Sequence, residues 1–106
     1  MKKIISLLII IFIYSCSPLK KYDKTSNVFE KDILNLEQLD LKNKADKNNL
    51  LFIGSSSIRL WGDIENDMQP YNSFKRGYGG AHYYDLIHFI ERLITNHSPR
   101  AILIFV

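Results

Sequence analysis

The chain has 106 residues, 46% of them apolar and 24% charged, with a formal net charge of +3. That length holds one small domain at most. A single cysteine excludes an internal disulfide, and no basic stripe with interleaved aromatics supports nucleic-acid binding.

The first feature in chain order is "MKKIISLLIIIFIYSC", two lysines, an apolar run from Ile4 to Ser15, and then Cys16. This is the n-region and h-region of a secretory signal, expected over residues 1–15. The run is shorter than the ~20 residues that cross a bilayer, and a buried core helix would carry a polar face. "IYSCS" resembles the lipobox of bacterial lipoproteins, with Ile13 three residues before Cys16 and the small Ser15 just before it. Leu is usual in place of Ile13, and a small residue in place of Tyr14. The resemblance implies cleavage before Cys16 and lipidation of that cysteine. The expected product is an exported lipoprotein of the bacterial cell envelope, held at the membrane without spanning it. Removing Lys2 and Lys3 lowers the formal charge from +3 to +1, so the basic balance points to no acidic partner.

Residues 16–49 are expected to hold this attachment point, a tether and a helix. "SPLKKYDKTSN" is polar and carries a proline, as a tether does. From Val28 to Lys44 the apolar residues Phe29, Ile33, Leu36 and Leu39 recur at helical spacing. Asn27 is placed to cap that helix, with Glu30 three residues later.

Residues 50–106 read as an α/β unit. Leu50 to Ile53 is a buried strand ended by Gly54, and a helical turn starts near Ser57 and reaches Trp61. "GDIENDM" is polar, with helical character up to Pro70. Tyr71 to Arg76 is a second strand, and "GYGGA" is a loop because glycine allows unusual backbone angles. His82 to His97 is the clearest helix, with Tyr83, Leu86, Ile87, Ile90, Leu93 and Ile94 on its apolar face and Asp85 opposite. "AILIFV" has the composition of a central strand covered on both faces. Strand, helix, strand, helix, strand implies an α/β sheet with right-handed parallel crossovers.

Ligands of such sheets sit outside the carboxyl ends of the strands, here "GSSS" and "RGYGGAH". "GSSSIR" lacks the Gly-Lys-Ser/Thr of a P-loop. "GYGGAH" has His82 where a dinucleotide fingerprint needs its last glycine, and "GSSSI" lacks the second glycine of a nucleophile elbow. What remains is a serine just past a strand end, where backbone N–H groups can face an oxyanion. Ser56 also fits an ordinary helix N-cap, and Ser57 is the neighbouring alternative.

These residues resemble the SGNH hydrolases, the GDSL-like lipases and esterases. "LFIGSSSIRLW" is similar to their first block, in which an apolar strand leads into Gly-Asp-Ser. Gly54, Ser55 and Ser56 take those places, with Ser55 where the family has aspartate. "NSFKRGYGGAHYYDL" is similar to the second block, and "PRAILIFV" to the strand that leads into the third. The resemblance implies a flavodoxin-like three-layer α/β/α fold, of which this chain holds the first three strands. It implies Ser56 as nucleophile and oxyanion N–H donor and Gly80 as a second oxyanion donor. The implied substrate is a small-molecule or glycan O-acyl ester, with acetyl a frequent acyl group and a carbohydrate or lipid carrying it. The oxyanion asparagine and the Asp-x-x-His of the triad have no counterpart in this sequence, and His82, His88 and His97 do not match the family's histidine. The expectation is therefore the N-terminal part of a larger domain, inactive by itself. No cofactor and no metal are implied. A non-catalytic, lipid-anchored binding protein derived from such a domain is the alternative function. Trp61 and Tyr83 read as packing residues, and Arg59 as a solvated or loop-pairing one.

Overall fold

The computed structural model describes Met1, residues 27–42 and residues 48–106. The secretory signal, Cys16 and the tether up to residue 26 lie outside the described residues. A 3₁₀ turn at Asn27–Phe29 leads into helix α1 (Glu30–Lys42). Then come β1 (Leu50–Gly54), α2 (Ser56–Leu60), α3 (Ile64–Asp67), β2 (Ser73–Gly77), α4 (Tyr83–Ile94) and β3 (Ala101–Phe105).

The three strands form one parallel sheet in the order β2-β1-β3. Leu50 stands opposite Ser73 and Ala101, and Gly54 opposite Gly77 and Phe105. The chain steps from β1 to β2 in one direction and returns across β1 to β3. Right-handed crossovers then place α2 and α3 on one face and α4 on the other. Two apolar clusters fill these layers. Phe52, Ile58 and Ile64 pack with Leu50, Trp61 and Met68. Ile33, Tyr78, Ala81, Leu86, Phe89 and Leu93 pack with Phe29, Leu36 and Val106. Strand alternation turns Leu51 and Ile53 away from Phe52, and both are fully buried. Each such side chain contributes roughly 1.5–3 kcal/mol. The α/β class and the parallel sheet read from the sequence are thus observed.

Several local expectations are corrected. Among the described strands β3 pairs with β1 alone, and Ile102 to Phe105 are 41–56% exposed, so in this structure it is not covered on both faces. The central, doubly covered place belongs to β1, because the crossover from β2 must return past it. Asn27 does not cap an α-helix, since the 3₁₀ turn runs through it and α1 begins at Glu30. The Glu30 carboxylate instead accepts from Arg92 Nη1 at 2.9 Å. The buried face of α4 is Asp85, Leu86, Phe89 and Leu93, while Tyr83 and Ile87 are exposed. Asp85 turns inward because its Oδ2 accepts the His82 backbone N–H at 3.0 Å in a capping box.

His97 is also misplaced by periodicity. It lies beyond α4, and its side chain is fully buried against Asp40 of α1 and Arg76 of β2. Its Nε2 is 2.9 Å from Asp40 Oδ1, which also accepts Arg76 Nε at 2.7 Å. Arg76 Nη2 approaches the same oxygen at 2.5 Å but off-line, so this is an ion-pair contact and not a hydrogen bond. His97 Nδ1 has no partner among the described residues. Burial holds the His97 imidazole below its ordinary 6.5, with Arg76 acting in the same sense and Asp40 opposing. Nearer solvent, Arg92 of α4 donates Nε and Nη2 to the two Glu37 oxygens of α1 at 2.7 and 2.8 Å. A partly exposed bidentate pair of this kind is worth up to about 1 kcal/mol.

A β-carbon at Gly54 would stand 1.8 Å from the Phe105 carbonyl oxygen, at a φ of +151°. Gly54→Ala should therefore destabilise the fold by about 3 kcal/mol or more in urea titration. Gly62→Ala, with nothing within 4 Å, should stay within about 1 kcal/mol. Asp40→Ala leaves the Arg76 guanidinium buried without its counter-ion and His97 Nε2 without its partner, and should lose about 3–5 kcal/mol. The folded His97 binds a proton less readily than the unfolded chain does. Its contribution is full above pH 6.5 and declines as pH falls below that value. Thermal melts between pH 7.5 and 5 should show this loss, and His97→Gln should flatten it.

Candidate active site

The carboxyl ends of β1 and β2 lie side by side, with Gly54 paired to Gly77. The loop bonds that leave them continue the sheet. Ser55 N–H donates to the Phe105 carbonyl at 3.0 Å, and Tyr78 N–H donates to the Gly54 carbonyl at 3.0 Å. A β-carbon on Gly77 would stand 2.6 Å from the Arg59 nitrogen and 2.9 Å from the Ser55 carbonyl oxygen. Gly77 thus lets the short helix α2 sit directly on the end of β2, and Gly54 lets Phe105 of β3 approach β1.

Ser55 occupies the N-cap position in extended backbone, with no side-chain capping bond. Ser56 is the first residue of α2, so it is not the cap. Its side chain is exposed, as is that of Ser57. The first N–H groups of a helix have no intrahelical acceptor, and the bonds that close this turn use the N–H groups of Ser55 and Arg59. Gly80 is exposed in the loop after β2, with a φ of +80°. The Phe29 ring lies 3.8 Å from where its β-carbon would be. An open depression of about 570 Å³ is lined by Ser55, Gly80, Ala81, His82, Tyr84 and Val106, with Tyr83 at its rim. Sequence reasoning placed Ser56 and Gly80 at adjacent strand ends, and the fold does bring those two turns together.

Phe29 and Tyr78 support this loop and carried no functional signal in the sequence. Their rings stand 5.1 Å apart, and Tyr78 meets Phe89 edge-on at 6.2 Å. Burial, with the nearby Asp85 carboxylate, pushes the Tyr78 phenol well above its usual value. Its hydroxyl has no hydrogen-bond partner among the described residues. Tyr78 therefore stays neutral and serves as packing under the glycine loop.

The three histidines separate in space. His82 borders the depression, its Nδ1 3.3 Å from Asp85 Oδ2 and its ring stacked on Tyr84 at 5.1 Å. His88 is exposed on α4, edge-on to Phe89. His97 belongs to the buried cluster with Asp40. Trp61 packs edge-on against Phe52 at 5.5 Å and donates Nε1 to Asp67 at 2.6 Å, so its packing role is observed. Tyr83 is 62% exposed and is not a packing residue.

Comparison of the chain with protein-family models, curated proteins and solved structures gives no match.

Gly80→Ala tests how firmly this loop is set. The added methyl meets Phe29 at ordinary contact distance, so the penalty is conformational and should be about 1–2 kcal/mol by urea titration.

Proposed function

We propose that this chain carries the nucleophile and oxyanion half of a serine acylhydrolase site of the SGNH type, acting on an O-acyl ester of a carbohydrate or lipid. One observation carries this reading. The exposed Ser56 and the exposed Gly80 follow neighbouring strand ends, at the edge where open α/β sheets bind ligands. Ser56 Oγ attacks the ester carbonyl, and the oxyanion rests on the N–H groups of Ser56 and Gly80. The flavodoxin-like likeness, export, and anchoring through a lipid on Cys16 belong to the same proposal, supported by the sequence patterns.

None of the three histidines is assigned as general base. Loss of the base from such a site lowers the rate by roughly 10⁶. The full chain should therefore turn over p-nitrophenyl acetate negligibly in plain buffer. Added imidazole should supply the missing base and give a rate above that of imidazole without protein, and Ser56→Ala should abolish that excess. Clear turnover in plain buffer, or an imidazole-dependent rate above the protein-free one that is unchanged in Ser56→Ala, would refute the assignment.

The alternative is a non-catalytic binding protein. It is favoured by the uncovered apolar surface of β3 and by a groove of about 570 Å³ lined by Leu50, Phe52, Trp61, Met68, Ile102 and Ile104. A bare strand edge can pair with another chain. In that case the purified chain sediments as a well-folded monomer and shows no Ser56-dependent chemistry under any conditions.

A further inference from the structure

Arg59 stands three residues after Ser56 on α2, so the two share a helix face. Its backbone is clamped. The Arg59 N–H donates to the Ser55 carbonyl at 3.1 Å, and the absent side chain of Gly77 leaves the space its nitrogen occupies. The Arg59 carbonyl accepts from Lys75 Nζ at 3.2 Å, and the same ammonium also donates to the Trp61 carbonyl. Lys75 is thereby committed to the backbone of this turn.

The Arg59 guanidinium is differently placed. Its Nε, Nη2 and Cζ lie 3.4–3.5 Å from where a β-carbon on Gly79 would be. The planar group is therefore laid over the glycine loop that leads directly into Gly80. It is exposed, and it has no carboxylate or carbonyl partner among the described residues. The adjoining depression contains no acidic side chain in its lining, and Asp85 below it is buried and held by the cap of α4. An unpaired guanidinium over the loop that leads into Gly80, on the helix that carries Ser56, offers a fork for a carboxylate.

We propose that Arg59 makes this site selective for anionic esters, its guanidinium pairing with a carboxylate that the substrate carries a few bonds from the ester carbonyl. Placing that carbonyl at Ser56 and Gly80 rests on the esterase reading, whereas the pairing at Arg59 does not require turnover. The expected substrate class is thus an acyl ester of an acidic molecule, such as an acidic sugar or a half-ester of a dicarboxylic acid. Neutral esters lose the pairing.

The test is binding by the ¹⁵N-labelled full chain of monomethyl succinate, which has one ester and one carboxylate, against neutral dimethyl succinate. Monomethyl succinate should shift the Arg59 Nε–H and Gly80 amide resonances. It should bind up to about fivefold more tightly than the diester, the scale of one exposed bidentate pair. Arg59→Gln should bring the two ligands within about twofold, and Arg59→Lys, which keeps charge without the fork, should fall between. Ser56→Ala should leave the preference intact. Equal binding of both ligands, no binding of either, or a preference that survives Arg59→Gln overturns the inference. If the preference is present while imidazole-dependent hydrolysis is absent, the esterase reading alone fails. If hydrolysis is present without the preference, the role of Arg59 alone fails.

Discussion

Everything at the carboxyl edge of this sheet depends on the absence of two side chains. Gly54 passes so close to the Phe105 carbonyl that a β-carbon would overlap it, and a β-carbon on Gly77 would stand 2.6 Å from the Arg59 nitrogen of α2. These contacts let three parallel strands end in step and let a five-residue helix turn back over them. A helix so short has little intrinsic stability. It is held by its neighbours, chiefly Ile58 in the apolar cluster and Lys75 bonded to its last carbonyls. Ser56 and Arg59 inherit fixed positions from that packing.

On the opposite face, α1 ties β2 to α4. Near its end, Asp40 meets Arg76 and His97 in a buried cluster. At its start, Phe29 packs on Tyr78 and against Gly80. Between them Ile33 is fully buried, and Glu30 and Glu37 pair with Arg92. A buried ion pair is weak support for stability by itself, but removing one partner leaves a charge stranded in the interior. The helix that supports the Gly80 loop is therefore tied to the sheet by a polar lock at its far end.

Adjacent strand ends, an exposed serine and an exposed left-handed glycine are features of the molecule. The ester and the oxyanion enter through the resemblance of "LFIGSSSIRLW" and "RGYGGAH" to a hydrolase family. The guanidinium over Gly79 adds a charge that the resemblance did not call for, and it narrows the proposed substrate to one that carries an anion.

Periodicity and composition were sufficient for the elements themselves. Leu50–Gly54 is apolar without interruption and lies buried, and Gly79 and Gly80 mark a loop that needs a left-handed angle. The strand–helix alternation determined the α/β class, because parallel strands require crossovers. Neighbour relations were decided only in three dimensions. "AILIFV" reads as a core strand, yet among the described strands it pairs with β1 alone and stays exposed, and strand order depends on crossover direction and not on hydropathy. Asp85 and His97 read as surface residues of a helix, yet a capping bond turns one inward and Asp40, 57 residues away in sequence, draws in the other. The laying of Arg59 over Gly79 was equally hidden, because it joins two loops that touch only once the strand ends are aligned. The sequence by itself determined which segments form strands, helices and glycine turns, since those preferences are local. The tertiary structure alone decided which polar groups meet, since contacts between distant residues follow from how the layers pack.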